Sequence, residues 1–442
     1  MKTFSMKFKV LPFCFLALTT YCRAQVPVIG NQNTIGGTAA DDLRMISGTS
    51  DGGTLLVGTS NSGISGDKTI ASFGSDDYWI VKTDVTGSIE WQTVLGGTGI
   101  DEASSGEQTS DGGYIIGGTS SSGISGNKTG INKGGDEYWI GKLNSTGAIS
   151  WQQTIGGSSI DELSVVHQLP DGSYIVGGRS KSGISGNKTE ASKGLYDYWV
   201  LKLDNTGNIV WQNTVGSASD DNLVDIQSLD GITYFAAGTS DGGITGDKSE
   251  HSGGAEDYWV VKLNDIGDIL WENTIRGDSD DYLYSIDVTS DGGVILAGSS
   301  QSQALFDKSQ GPVAYMFVPS TDYWIVKLSS TGSIDWNKTI GGGYADEPKS
   351  IIEYADGYVV SGSSSSNIIY ANKHSKGYGS TDIWVVYIDF YGNLVAQTTI
   401  GGSGSDNATA ITKAFGGGFT IASTSSSNIS GVKTEMCVGD TD

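Results

Sequence analysis

The stretch DYWVVKLNDIGDILWENTI, residues 257 to 275, opens with a run that is apolar on both faces, breaks at a polar turn, and resumes in a second apolar run. Short runs rich in aromatic and β-branched residues, bounded by glycine turns, predict β-strands rather than helices. The pattern recurs along the chain. In the second copy ASSGEQT (103–109) leads to the turn SDGG and then YIIGGTS (114–120). After the polar loop SSGISGNKTGINKGGD come EYWIGKL, the turn NSTG and AISWQQTIGG, so each unit predicts four strands. No segment carries a convincing amphipathic helical pattern.

Tryptophan sets the period. Trp79, Trp139, Trp199, Trp259, Trp324 and Trp384 stand 60 residues apart except for one step of 65, and Trp91, Trp151, Trp211, Trp271 and Trp336 form a second series. The long step comes from an insertion around DKSQGPVAYMFVPSTDYW. In the sixth unit Tyr387 and Ala396 replace the repeated lysine and tryptophan, and a looser blade is expected there. Four-stranded units at this spacing predict an all-β β-propeller, one blade per unit. A strand apolar on both faces suits a position between two blades, and the indoles would wedge blade against blade. A β-solenoid is the structural rival, but its coils repeat at shorter periods.

Counting units gives seven, the last lacking two strands: the register places at Asp442 the acid that precedes YW elsewhere. The N-terminal piece IGNQNTIGG supplies at most part of a last strand. An open edge exposes unpaired backbone groups, so the chain continues, or the ring is imperfect, or another chain fills the gap; the first is favoured.

The phrase DYWIVKL…WQ…TIGG…SDGGY, running over residues 34–442, resembles the repeat of secreted β-propeller proteins of Bacteroidota-type bacteria. That resemblance implies an extracellular or cell-surface propeller, often exported by the type IX secretion system. Some proteins of this kind carry endoglucanase-like labels.

The N-terminus agrees with export. Lys2, Lys7 and Lys9 precede the apolar VLPFCFLAL, and CRA offers a cleavage site after Ala24, the layout of a signal peptide. The expected division is therefore a signal peptide at 1–24 and a propeller domain over 25–442. Tyr21 before Cys22 is a poor context for lipid attachment. Cleavage removes four positive charges and no acids, taking the formal charge from -24 to -28. So acidic a chain opposes nucleic acid and anionic lipid as partners. Only Cys437 survives cleavage, which leaves no intrachain disulfide. Beyond the signal no run is long and apolar enough for a transmembrane helix.

Candidate chemistry is sparse. Asp41, Asp101, Asp161, Asp221, Asp281, Asp346 and Asp406 share one register at the start of each innermost strand. They read as turn caps that accept backbone N–H bonds; the alternative is a cation-attracting mouth, with Ca²⁺ held by Asp278, Asp280 and Asp281. The acids before YW (Asp77, Glu137, Asp197, Asp257, Asp322, Asp382) and the lysines at 82, 142, 202, 262 and 327 repeat likewise and pin register, with salt bridging between blades one possibility. GTSDG at 48–52 and 238–242 matches a nucleophile motif but lacks the following helix that motif needs. His251 and His374 lie in polar loops, and no histidine has a second ligand at zinc spacing.

His167, in the predicted innermost strand ELSVVHQL, and Glu107 in the preceding unit both reach toward the channel. In the fifth loop Tyr315 and Phe317 either stack on a partner or fold over a neighbouring blade. The expected function is a non-enzymatic module that binds a glycan or protein through loops on one face. The alternative is a glycan-active hydrolase using channel acids, and a passive spacer is a third reading.

Overall fold

The computed structural model describes residues 29–436 except 31, 314–319, 368 and 415. The signal segment, Tyr315, Phe317, Cys437 and Asp442 lie outside the described residues. The first unit is an antiparallel meander of β1 (Asp41–Gly48), β2 (Thr54–Ser60), β3 (Asp77–Thr83) and β4 (Ile89–Leu95). It recurs as β5–β8 (residues 101–155), β9–β12 (161–215), β13–β16 (221–275), β17–β20 (281–340) and β21–β24 (346–400). A seventh unit holds β25 (Asp406–Lys413) and β26 (Phe419–Ser425) as a two-stranded sheet.

Each first strand lies against the first strand of the next unit, and β25 returns to β1. The chain is thus an all-β propeller of six four-stranded blades and a two-stranded seventh unit. No helix among the described residues is long and apolar enough to cross a membrane.

The third strands are the core. DYWIVKT of β3 and its counterparts are buried along nearly their whole length, because each is covered by a neighbouring blade on either side. Trp139, Trp199, Trp259, Trp324 and Trp384 are fully buried. Each stacks on the tyrosine of the blade before it, Tyr78, Tyr138, Tyr198, Tyr258 and Tyr323, at 4.9–5.1 Å between ring centroids. The same tyrosine hydroxyl donates to that tryptophan's own carbonyl at 3.1–3.3 Å.

A glycine stands beside this contact at each of these boundaries, where a Cβ would first meet the carbonyl of the blade's own first strand at 1.9–2.2 Å. Gly118, Gly178, Gly238, Gly298 and Gly362 pair with the tryptophans, and a Cβ on any of them would sit no more than 2.8 Å from the tyrosine hydroxyl. The second tryptophan series is half-buried on the outer strands; Trp91 meets Tyr114 of the next blade edge-on at 5.1 Å.

Two expectations are revised. The lysines of the third strands bridge mostly within a blade: Lys82 pairs with Asp51 and Glu90, each at 2.8 Å, and Lys142 with Asp111 at 3.0 Å, because the turn between each blade's own first two strands lies beside its lysine. In the sixth blade Tyr387 donates its hydroxyl to Asp356, the acid of the same turn, and Ala396 is buried, so both replacements are packed rather than loose.

Closure also differs from the expected missing pair. Gln32 donates to the Val432 carbonyl at 2.8 Å and accepts from Thr434 N at 3.0 Å. Gln92 on β4 makes the same two bonds, to Asp67 O and from Thr69 N, at 2.8 and 3.0 Å. Thr34 N donates to Glu435 as Thr214 N donates to Glu190. Ile35 packs on Trp79, as Leu95 of the first blade belongs to the cluster around Trp139. Residues 32–35 therefore stand where part of the seventh unit's fourth strand belongs.

Candidate functional site

The long connections from second to third strand gather at one end of the propeller. Each is pinned from beneath by a buried lysine. Lys68 donates to Ser60 Oγ at 2.7 Å and Ser72 Oγ at 2.8 Å, and its ammonium lies 5.6 Å from the Trp79 ring centroid. Lys128, Lys188, Lys248, Lys308 and Lys373 repeat the arrangement over their own tryptophans. Burial lowers these ammonium groups, Lys188 and Lys373 to about 8, while the two acids of the same unit oppose the shift.

Those acids are the two repeated series. Asp41, Asp101, Asp161, Asp221, Asp346 and Asp406 each accept the backbone N–H four residues earlier, at 2.5–2.7 Å. The cap reading thus describes their geometry. Asp77, Asp197, Asp257 and Asp382 accept loop N–H groups in the same way. Burial raises Asp221 to about 6 and Asp322 to about 8, and the acid across the blade boundary, Asp197 or Asp346, adds to the rise.

Above this base the loops turn sharply. Ser65 and Lys68 exchange backbone bonds at 3.0–3.1 Å around Gly66, whose φ is +56°. At the equivalent of Gly126 a Cβ would meet the Gly96 carbonyl of the preceding blade, so glycine is needed for φ and for closeness. Phe306 and Ala371 take the same left-handed conformation, at φ 54° and 49°. Each loop is stapled to its neighbour: Asn127 accepts from Gly96 N at 3.0 Å and donates to Val94 O at 2.7 Å.

The turn lifts one aliphatic side chain into solvent in almost every unit. Ile64, Ile124, Ile184, Ile244, Ile369 and Ile429 are 54–72% exposed. The fifth unit presents Leu305 and Phe306 instead, both at least half exposed. Phe73, Ile131, Leu195 and Tyr378 add apolar surface on the variable arms of the same loops.

The axial channel holds a second cluster. His167 lies with Nδ1 3.0 Å from Glu107 Oε2 and Nε2 3.6 Å from Asp225 Oδ1. Burial alone lowers the imidazole, but the Glu107 and Asp225 carboxylates outweigh it and push it up to about 10. Glu107 also accepts from Gln168 N, and Gln227 donates to Asp225 at 3.0 Å. Nearby Asp287 is pushed up to about 6 by burial and accepts from Glu353 N at 2.7 Å. The imidazolium is a locked counter-ion more than a free base.

Of the residues picked out for Ca²⁺, Asp278 is exposed and accepts from Gln303 N at 2.7 Å, while Asp281 is buried and accepts from Ser302 at 3.0 Å. No three acidic, histidine or cysteine side chains among the described residues converge as a metal site. Sequence reasoning passed over the pinning lysines and the raised isoleucines. Their signal was a constant spacing: the lysine precedes the tryptophan by eleven residues in every blade but the fifth.

No protein-family model matches the chain, and no curated protein matches it in sequence. Solved structures resemble it at low identity. A hydrazine synthase chain from Kuenenia stuttgartiensis is 12% identical with a TM-score of 0.49, covering 90% of this chain and 98% of that one. BamB from Moraxella catarrhalis is 14% identical, TM-score 0.39, over 85% and 93% of the two chains. A protein of unknown function from Bacteroides caccae is 13% identical, TM-score 0.39, over 73% and 90%.

Proposed function

We propose that this chain is an exported, non-enzymatic propeller that holds a partner against the face formed by its second-to-third-strand loops. The observation that carries this reading is the near-ring of raised isoleucines. A single exposed aliphatic residue is ordinary, but the same exposed aliphatic position repeated on one set of loops is what a shared interaction face would present. Here one position, on loops stapled to their neighbours and pinned by buried lysines, is aliphatic and exposed in six units. A protein with a complementary apolar surface suits it better than a sugar, which stacks on aromatic rings. Export rests on the signal-like N-terminus, and the expected mature product begins at Gln25.

The test substitutes Ile64, Ile124, Ile184 and Ile244 with serine together. These side chains are solvent-exposed, so stability should stay within about 1 kcal/mol. Binding of the labelled protein to the surface of its source cells should fall at least tenfold. Equal binding by the variant would refute the loop-face reading.

The hydrolase reading is favoured by one observation, the protonatable Asp287 in the channel wall. Against it, Glu107 and Asp225 are engaged by His167. Cleavage of any polysaccharide that disappears in Glu107→Gln or Asp287→Asn would decide for the enzyme.

A further inference from the structure

The face that carries the raised isoleucines also holds one mouth of the channel. β2 ends and β3 begins at this end of the blade, since Asp41 pairs with Ser60 and Ser60 with Asp77. Residues just before the first strands, just after the second and just before the third therefore form its rim, beside the innermost strands. In the fourth and fifth units the rim presents Asp220, Asp241, Glu256 and Asp280. Backbone bonds stitch this arc across two blade boundaries. Asp220 accepts from Tyr196 N of the third blade at 3.2 Å, Asp241 accepts from Asp220 N at 2.9 Å, and the Glu256 carbonyl accepts from Asp281 N of the fifth blade at 2.7 Å. Ile244, 54% exposed, follows Asp241 by three residues on the same loop.

The charge of the arc is left open. Arg44 pairs with Asp42 at 2.8 Å, Lys349 with Glu347 at 3.1 Å, and Arg179 with Glu162. Lys181 lies over the Tyr196 ring, 5.3 Å from its centroid. Among the described residues no cation pairs with the four acids of the arc, and Glu256 Oε2 is buried without a hydrogen-bond partner. Burial raises the Glu256 carboxyl, and the charges of Asp241, Asp220 and Asp280 add to the rise. The acids do not converge as ligands of a single ion. Negative charge spread along a rim and bordered by exposed aliphatic side chains fits a chain that carries cations and apolar residues in succession.

We propose, resting on the loop-face reading, that the partner's contacting segment is a cationic, partly apolar polypeptide. Its lysine or arginine side chains lie on the arc from Asp220 to Asp280, and its aliphatic side chains lie on the neighbouring isoleucines. Glu256 Oε2 is the buried acceptor open to one of those cations.

The experiment titrates the full chain with a synthetic peptide, KLAKLLKALKLAK, by calorimetry, beside the same peptide with glutamate for every lysine. The expected result is saturable binding of the lysine peptide alone, weakened about tenfold between about 50 and about 300 mM salt. The triple variant Asp241→Ser, Glu256→Thr, Asp280→Ser takes residues the repeat already holds at these positions, Ser121, Thr321 and Ser405, and Ser121 keeps the backbone bond, from Ile100 N at 2.8 Å. It should bind at least tenfold more weakly. A control removes equal charge from the opposite face, Asp84→Asn, Asp204→Asn and Asp389→Asn, where Asn144 and Asn264 stand in other blades; its binding should stay within about twofold. No saturable binding of the lysine peptide, equal binding of the two peptides, or equal weakening by both variants overturns the proposal. Loss of binding in the isoleucine variant but not in the triple variant overturns the charge inference and leaves the loop face standing; loss in neither overturns both. Saturable Ca²⁺ binding that the triple variant lacks, without peptide binding, assigns the arc to an ion and also overturns it.

Discussion

Replacing Trp199 with alanine empties a site closed on all sides. The indole is fully buried, stacks on Tyr138 at 5.1 Å, donates to Gln212 at 3.1 Å and lies under Lys188. An indole buries roughly 200 Å², worth roughly 5 kcal/mol at about 25 cal/mol per Å². The remaining methyl group recovers about 1 kcal/mol, leaving a cost of about 4 kcal/mol, within the range for emptying large core sites. Trp79 is the internal control. It borders the seventh-unit cavity and has no tyrosine stacked on it among the described residues, so Trp79→Ala should cost about 2 kcal/mol, the transfer share without a new closed cavity. Urea unfolding followed by far-ultraviolet circular dichroism compares the two, with equal slopes required before midpoints become free energies. An unchanged midpoint for Trp199→Ala, or a larger loss for Trp79→Ala, would refute the wedge account.

Lys188→Met leaves Asp161 and Asp197 buried without their cation, and should cost about 3 kcal/mol at pH 7 and less as pH falls, because burial shifts both acids toward the protonated form; a cost independent of pH would count against the network. Asp322 and Asp221 bind protons more tightly folded than unfolded, so their contribution is complete below about pH 4 and is lost as pH rises through about 6 to 8. His167 acts in the same direction, complete below pH 6.5 and lost through about 10. The melting temperature should therefore rise on going from pH 8 to pH 5, with a shallower slope in Asp322→Asn; a fall over that range contradicts the assignment. Ala371→Gly should stabilise by about 1 kcal/mol by relieving a left-handed conformation, whereas Gly126→Ala, which drives a Cβ against the Gly96 carbonyl, should destabilise by about 2 kcal/mol. Thermal melts of both variants check the opposite signs.

The strands were legible because their signal is local. YIIGGTS and EYWIGKL coincide with β6 (Tyr114–Ser120) and β7 (Glu137–Leu143), since glycine turns and paired apolar faces are written in consecutive residues. Side-chain partners were less so. Lys68 sits in a polar loop and reads as solvated, yet folding carries it under the loop onto Trp79. Lys82 gave a repeating charge without saying which blade answers it. The fourth-strand role of residues 32–35 was half visible: Gln32, Thr34 and Ile35 follow the repeat, but the partners that establish it lie about 400 positions away, as in the Gln32–Val432 bond. The channel cluster required both the shared register of Glu107 and His167 and the knowledge that this face of the strand turns to the axis.

Hydrogen exchange resolved along the chain tests most directly the claim that burial between neighbouring blades sets the stability of each strand. The amides of β14 (Tyr234–Ser240), buried along its whole length, should exchange at least a hundredfold more slowly than those of β26, where two of seven residues are buried, while residues 32–35 show intermediate protection from their side-chain contacts with residues 432–435. Equal protection of β26 and β14 would contradict the account, because burial between blades would then not govern local stability.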